Sequence, residues 1–325
     1  MKPEISVVLA THNGGHLLPM VLEGLARQSL HQSRFEIIVV DDGSTDNTQH
    51  VLHDWQNHLK LHIIRQNQAG MAAAKSLGVF VACTAIVVFL GDDVVPEPDF
   101  LVMHLAAHLA SPDRAVAVLG YTSLAEDIRQ IPVMWYVTEV GYQLFSYGWM
   151  QSGQELDHTA FGGGCVSCKR SFLVQKGVFN PNLDSGFADI ELGWRLARHG
   201  LRMIYQPQAH SVMIRALTFD QLCERSYQLG RSQYRFAQSH KAVEIQAYCE
   251  IVPALQEWRD YGQSYEAHLL RTRELDCQAL VWEQAKTPVT LSFQQDLNEA
   301  YRKVFSLSRA KGVVDAQASV ADPLI

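Results

Sequence analysis

Short apolar runs alternate with amphipathic stretches through the first third of the chain. The runs are rich in Val and Ile, which is typical of buried strands, and they cover Ile5–Ala10, Phe35–Val40, Leu61–Ile64, Ile86–Leu90 and Ala115–Gly120. Between them, apolar residues recur at helical spacing, and helices are predicted over segments such as Met71–Val81 and Asp99–Leu109. The alternation predicts an α/β fold with a mostly parallel, doubly wound sheet flanked by helices.

Polar side chains follow four of the predicted strands, at the point where each strand ends. These groups are Thr11-His12-Asn13, Asp41-Asp42, Arg65-Gln66-Asn67 and Asp92-Asp93. Ordinary turn chemistry would explain any one of them. Because ligands of open α/β sheets bind outside the carboxyl ends of the strands, four groups in phase predict a ligand site at that edge.

The adjacent carboxylates Asp92 and Asp93 are the strongest candidate for a metal site. Mg²⁺ or Mn²⁺ suits hard oxygen ligands and takes one or two carboxylates together with substrate phosphates. The chain carries a net charge of −7, so a phosphorylated ligand at this edge needs a local cation. The same charge argues against a general nucleic-acid binder.

Neither a dinucleotide fingerprint nor a P-loop follows the first strand, so a nucleotide has to be held in another way. Asp42 could accept from a base N–H group, and Lys75 and Arg65 could meet phosphates. On this hypothesis the substitution Asp42→Ala weakens nucleotide binding and leaves the fold intact.

The sequence also predicts a cytoplasmic protein, and a peripheral position at the inner membrane face stays open. The first residues lack the apolar region of a signal peptide. The longest uncharged stretch, Ser76–Leu90, is shorter than the roughly 18 apolar residues of a membrane span. Six cysteines without a secretion signal indicate a reducing compartment.

Beyond Gly120 the periodicity weakens and aromatic residues accumulate, either as core packing or as a platform for sugar rings; they are Trp135, Tyr136, Tyr142, Phe145, Tyr147 and Trp149. The glycines 162–164 permit a close backbone approach. Asp189 is predicted in the first turn of a helix that ends at Gly200, and Glu191 and Arg195 are spaced to pair on it.

From Thr218 onward the pattern is helical, with a capping box at Thr218 and Gln221. Pro253 and Thr287-Pro288 are predicted to divide this part into at least three helices. This part is predicted to be a helical appendage or an oligomerisation surface. The residues after Gly312 are predicted to be disordered.

Ordered segments between Ile5 and His240 resemble the family 2 inverting glycosyltransferases, which have the GT-A fold. The segments are SVVLATHN, EIIVVDDGSTDNT, NQAGMAAAKSLG, FLGDDVVPEPDFL, FGGGCVSCKRSFL and GFADIELGWRLARHG. The resemblance implies a glycosyltransferase domain over residues 1–217, with a nucleotide-sugar half (1–120) and an acceptor half (121–217). A helical C-terminal region (218–325) follows.

The resemblance also implies roles for particular residues. Ala10, Thr11, His12, Asn13 and Asp42 would hold the nucleotide base, with Lys75 near the diphosphate. Asp92 would lie nearer the ribose, Asp93 would bind the metal, His210 matches a metal-binding His of some members, and Asp189 would be the general base. The sequence departs from the family pattern at Gly91, Ser76, Cys165 and Ala188, where the family's usual residues are Asp, Asn, Asn and Glu.

The predicted reaction is transfer of one sugar, with inversion, from a nucleotide-diphospho-sugar to a hydroxyl group of a saccharide, lipid-linked or peptide acceptor. One alternative is a catalytically inactive sugar-nucleotide-binding or scaffold protein, which the altered motif at Ala188 leaves open. A nucleotidyltransferase is a third hypothesis, and the lack of a basic Gly-rich loop after the first strand counts against it. The QxxRW motif of processive synthases is absent.

Overall fold

The structure is a computed structural model that describes residues 2–145, 147–162, 164–183 and 187–321. Its contacts divide the chain into two compact units. The first unit comprises Met1–Ala125, Tyr147–Pro181 and Ala188–Arg215, and the second comprises Glu126–Ser146, Asn182–Phe187 and Ala216–Ile325. The domain limits predicted from sequence stay predictions.

Nine strands of the described residues form one sheet in the first unit. They are β1 (Ile5–Thr11), β2 (Phe35–Asp42), β3 (Leu61–Gln66), β4 (Ile86–Leu90), β5 (Val94–Pro96), β6 (Val116–Leu124), β7 (Glu155–Leu156), β8 (Cys165–Lys169) and β9 (Arg202–Met213). The order is β3-β2-β1-β4-β8-β6-β9-β5, with β7 beside β9. Strands β3, β2, β1 and β4 pair in parallel, as the alternation predicts.

The second half of the sheet is mixed. Strand β8 lies antiparallel between β4 and β6, so Ser167 pairs with Val88 on one side and with Val118 on the other. The sequence did not predict β8, because its five residues follow a glycine run and include two Cys and one Ser. The predicted α/β class with flanking helices is confirmed, and the mixed half adds strands that local alternation does not reveal.

The helices are α1 (Leu18–Ala26), α2 (Thr48–Trp55), α3 (Met71–Val81), α4 (Phe100–Ala110), α5 (Glu126–Arg129), α6 (Pro132–Trp135), α7 (Arg170–Lys176), α8 (Phe187–Ala197), α9 (Phe219–Ser239), α10 (Val243–Cys249), α11 (Ile251–Tyr261), α12 (Tyr265–Gln284) and α13 (Leu291–Ala321). The core of the first unit joins apolar side chains of β1, β2 and β4 to those of α1 and α4. Burial of these runs fixes where the parallel strands end and so positions the polar groups beyond them.

A polar cluster is buried between α4 and β8. The Ser167 hydroxyl hydrogen-bonds to Nδ1 of His104 at 2.8 Å and to Nε2 of His108 at 2.9 Å. The other ring nitrogen of each histidine is buried without a hydrogen-bond partner in the described structure. Burial, and secondly the charge of His108, lowers the pKa of His104 to about 3. Burial and the charge of Lys169 lower the pKa of His108 to about 3.

The second unit is organised around the packing of α9 against α13. Gly230 and Gly312 lie at this contact, where a Cβ atom on Gly230 would come within 1.9 Å of the Arg309 carbonyl oxygen and one on Gly312 within 2.0 Å of the Tyr227 carbonyl oxygen. Gly312 is therefore an interior contact of α13. The prediction of disorder after Gly312 is wrong, since α13 continues to Ala321 and buries Val313.

Two local predictions for the helices are confirmed. Thr218 and Gln221 form the capping box at the start of α9, and Thr287-Pro288 lies between α12 and α13. The break predicted at Pro253 is wrong in position, because Pro253 lies in the first turn of α11 and the chain turns at Glu250, which has a φ of 42°. No helix among the described residues combines the length and the apolar character that a membrane span requires.

Candidate active site

The carboxyl ends of β1 and β4 meet at Thr11 and Asp92. The Thr11 hydroxyl donates to Oδ2 of Asp92 at 2.7 Å, which orients this carboxylate. A Cβ atom on Gly14 would lie 2.3 Å from the Thr11 hydroxyl oxygen and 2.7 Å from that carboxylate oxygen. Glycine at position 14 therefore leaves room for the hydrogen bond.

Arg215, a residue that the sequence analysis missed, bridges the two carboxylates that follow β4. Its guanidinium donates to Oδ2 of Asp93 at 2.8 Å and to Oδ1 of Asp92 at 3.3 Å. Burial, and secondly the neighbouring charge of Asp93, raises the pKa of Asp92. Burial opposes the charge of Arg215, but the two carboxylates outweigh it and raise its pKa. The available signal was a lone basic residue just after the apolar residues Val212, Met213 and Ile214.

Asp42 ends β2 and fastens the loop that leads into α3. Its Oδ1 accepts from the backbone N–H of Ala69 and from Nε2 of Gln66, both at 2.7 Å, and its Oδ2 accepts from the Gly70 N–H at 2.9 Å. The carboxylate is 2% exposed. This side chain holds three hydrogen-bond donors of the β3–α3 connection, a contribution to the stability of the fold that the sequence analysis did not anticipate.

We expect Asp42→Ala to lower the free energy of unfolding by about 1.5–3 kcal/mol, because backbone N–H groups lose a charged acceptor. The affinity for a nucleotide should fall as well. Chemical denaturation and nucleotide titration of the same protein measure the two effects. Asp54→Ala is the control, since Asp54 is an exposed carboxylate on α2. An Asp42→Ala protein as stable as the control would contradict the loop-fastening role.

The remaining residues predicted for the base lie on the same edge. His12 Nδ1 contacts the Asp42 carbonyl oxygen at 2.8 Å. Asn13 has a φ of 55°, a backbone conformation that Asn tolerates better than most residues, and its Oδ1 accepts from the Thr45 N–H at 2.8 Å. Ala10 is buried in β1. Arg65 is held at the Ser44 carbonyl oxygen and is 3.7 Å from Asp41.

Lys75 and Asp189 form an ion pair, with 2.9 Å between Nζ and Oδ1. Lys75 lies in α3, whose N-terminal Gly70 is bound by Asp42, and Asp189 lies in the first turn of α8. Their side chains are 20% and 13% exposed, respectively. Asp42 therefore holds the start of the helix that carries Lys75, and Lys75 in turn contacts Asp189. Gly163 and Gly186, which belong to two of the motifs, lie outside the described residues.

The predicted pairing of Glu191 with Arg195 is confirmed, at 2.6 Å. Glu191 is 1% exposed, and the guanidinium of Arg195 also donates to the Val178 carbonyl oxygen at 2.6 Å. This buried pair ties α8 to the preceding loop. Glu191 is thereby engaged in the fold, whereas Asp189 in the same helix faces Lys75.

His210 lies on β9, and its side chain contacts Ser123 and Tyr121, whereas Asp92 and Asp93 contact Arg215. Its Nε2 hydrogen-bonds to the Ser123 hydroxyl at 2.9 Å, and its ring stacks on Tyr121 with 5.1 Å between centroids. In the part of the chain that the structure describes, no three His, Cys, Asp or Glu side chains gather as a metal cluster. His210 therefore does not complete a three-ligand group with the two aspartates.

The carboxylate pair nevertheless has the donor chemistry for a divalent metal. Asp92 and Asp93 each direct one oxygen at a single cationic group, the Arg215 guanidinium. Mg²⁺ retains several waters and is usually held by one or two carboxylates plus substrate phosphates. The pair therefore fits a metal that is shared with a diphosphate, rather than an all-protein metal cage.

The chain is similar to known sugar-transferring proteins. It is 31% identical over 228 residues to the validoxylamine A glucosyltransferase of Streptomyces hygroscopicus subsp. jinggangensis (strain 5008), covering 62% of this chain and 53% of the relative. The chain thus spans about half the length of the curated relatives it matches.

Solved structures are similar over almost the whole chain. The mannosyltransferase PcManGT from Pyrobaculum calidifontis, in complex with GDP-Man and Mn²⁺, has a TM-score of 0.57 and 19% identity, covering 100% of this chain and 89% of that one. S. aureus TarS 1–349 in complex with UDP has a TM-score of 0.54 and 15% identity, covering 99% and 92%.

These likenesses define the class of the fold, the GT-A fold of glycosyltransferases. The family model for glycosyl transferase family 2 matches residues 6–178, more than half of the chain. The chain belongs to glycosyl transferase family 2. The matched residues include Asp42, Lys75, Asp92 and Asp93, and they end before Asp189 and Arg215.

Proposed function

We propose that the protein transfers a single sugar from a nucleotide-diphospho-sugar to an acceptor hydroxyl, with inversion at the anomeric carbon. The observation that carries this proposal is the convergence at one sheet edge of Thr11, the Asp42-fastened loop and the carboxylate pair Asp92-Asp93. Membership of glycosyl transferase family 2 supports the reaction class.

In the proposed reaction, Asp189 accepts the proton of the acceptor hydroxyl while the oxygen of that hydroxyl forms the bond to the anomeric carbon. The bond from that carbon to the donor's diphosphate oxygen breaks, and the electron pair leaves with the diphosphate. Lys75 positions the Asp189 carboxylate through their ion pair. A positioned base of this kind contributes roughly 10²–10⁴-fold to the rate.

A divalent metal held by Asp93 would supply charge stabilisation to the leaving diphosphate. Asp92, oriented by Thr11, is proposed to lie nearer the ribose. Ala10, His12, Asn13 and Asp42 are proposed to surround the base, and Arg65 and Lys75 remain candidates for phosphate contact. The metal role of His210 stays a prediction.

We expect UDP or GDP to stabilise the protein only when Mg²⁺ or Mn²⁺ is present, because the chain is net-negative and the two carboxylates at the site outnumber the single charge of Arg215 that pairs with them. A ligand at 100 times its Kd adds about 2.7 kcal/mol to the free energy of unfolding. Thermal unfolding with nucleotide, with and without a chelator, measures this. Equal stabilisation in both conditions would contradict the metal requirement and leave Lys75 and Arg65 as the phosphate partners.

A panel of nucleotide sugars tests the activity itself. Release of the nucleotide diphosphate from one donor, with or without an added acceptor, is the expected result. Binding of a nucleotide sugar with neither hydrolysis nor transfer, over a broad set of acceptors, would favour the inactive binder that Ala188 leaves open.

A further inference from the structure

The Asp92-Asp93 pair already has a cation bound to it, and that cation belongs to the chain. Two adjacent carboxylates, 13% and 22% exposed, repel each other in the partly buried setting at the end of β4. The Arg215 guanidinium spans them, at 3.3 Å from Asp92 and 2.8 Å from Asp93. A planar guanidinium with several donors suits such a two-point contact.

The backbone beneath Arg215 is fixed beside Asp93. Strands β5 and β9 pair antiparallel with Val94 opposite Met213, and the Ile214 N–H donates to the Asp93 carbonyl oxygen at 2.9 Å. The side chain of Arg215 is 30% exposed, so it has room to move beside the fixed Ile214. Its guanidinium can therefore leave the carboxylates by rotation about side-chain bonds while the sheet stays intact.

A divalent metal held by Asp93 beside Asp92 would be drawn to the same carboxylates that the guanidinium contacts through Oδ1 of Asp92 and Oδ2 of Asp93. Metal and guanidinium therefore compete for one position. The hydrogen bond from Thr11 to the other oxygen of Asp92 holds that carboxylate in place during an exchange. A displaced guanidinium stays within a side-chain length of the metal, and its fork matches phosphate oxygens, which a diphosphate presents at that position.

We propose that Arg215 is a positioning residue that exchanges partners: it neutralises Asp92 and Asp93 in the free protein, yields them to the metal, and then binds the diphosphate of the donor. This inference rests on the proposed metal-assisted function. It makes metal and nucleotide binding interdependent, since each ligand favours the same displaced state of Arg215.

The test is direct titration of Mn²⁺, monitored by its electron paramagnetic resonance, in the presence and absence of UDP or GDP. Wild type is compared with Arg215→Gln and Arg215→Lys. In Arg215→Gln, Mn²⁺ should bind the nucleotide-free protein at least about tenfold more tightly, since a competing charged hydrogen bond is gone. Nucleotide affinity at saturating Mn²⁺ should fall by a similar factor. Arg215→Lys should lie between the two proteins.

Arg202→Gln is the matched control, because Arg202 starts β9, the strand that ends two residues before Arg215, and forms an exposed ion pair with Glu155. It should titrate like wild type, and thermal unfolding verifies that each variant is folded. Equal Mn²⁺ affinity in wild type and Arg215→Gln would overturn the exchange alone. A lack of Mn²⁺ binding in every protein, with and without nucleotide, would overturn the metal-assisted function together with the exchange.

Discussion

Replacement of Asp189 by Asn is expected to reduce sugar transfer by roughly 10²–10⁴-fold, because the amide keeps the shape of the carboxylate and cannot take up the proton of the acceptor. Donor affinity should hold, since this residue is proposed to meet the acceptor. The lost ion pair with Lys75 is mostly buried, with side chains 20% and 13% exposed, so the free energy of unfolding should fall by an amount between the roughly 1 kcal/mol of a surface pair and the roughly 3–5 kcal/mol of a fully buried one.

The matched comparison is Glu191→Gln, two residues further along α8. Glu191 is buried against Arg195, and removal of one partner of a buried pair destabilises a protein by about 3–5 kcal/mol. The two variants should therefore show opposite patterns, one losing catalysis and the other losing stability. Initial rates, donor titration and chemical denaturation separate them. An Asp189→Asn protein that transfers sugar at nearly the wild-type rate would rule out Asp189 as the base.

Acidification is expected to destabilise the protein through His104 and His108. Both pKa values are lowered from 6.5 to about 3 in the folded protein. Between these values the unfolded state binds two more protons than the native state. The stability contributed by the two neutral rings is therefore complete above pH 6.5 and is lost as the pH falls. Each proton is worth about 1.4 kcal/mol per pH unit, so the pair gives about 2.7 kcal/mol per unit.

The variant that isolates this effect is His104→Leu, His108→Leu and Ser167→Ala combined, because removal of all partners leaves no buried hydroxyl unpaired. Urea unfolding from neutral to mildly acidic pH should show a much shallower loss of stability in this variant than in wild type. His53→Gln, a change at an exposed histidine of α2, is the control. Identical pH slopes in wild type and the combined variant would contradict the assignment.

Local patterns predicted the elements that are continuous in sequence. The bounds of β4 and α3 agree with the apolar runs, and the pairing of Glu191 with Arg195 follows from helical spacing alone. The polar residues beyond β1, β2 and β4 lie together because parallel neighbours end at one edge. The elements and the ion pair were predictable because they depend on residues within a turn or a strand of one another, and the shared edge was predictable because alternating strands and helices imply parallel pairing.

The missed features depend on partners distant in sequence. From the sequence alone, Ser167 resembles a polar loop residue. Its role is evident only when β8 packs against α4, where the Ser167 hydroxyl hydrogen-bonds to His104 and His108. Gly312 reads as a helix end until its contact with Tyr227 on α9 is known. Arg215 lies 122 and 123 residues from the carboxylates it contacts. No local periodicity encodes these three contacts.

The insertion of β8 between β4 and β6 has a consequence for the order of folding. During synthesis, β4 emerges with β1 beside it, but its other edge has no partner until Cys165–Lys169 has been made. Strand β6 has neither of its sheet partners until β8 and β9 have been synthesised. Such non-local pairing slows folding and leaves an apolar edge open to other chains in the meantime. We therefore expect nascent chains that stop near Ala125 to be prone to aggregation and to depend on chaperones.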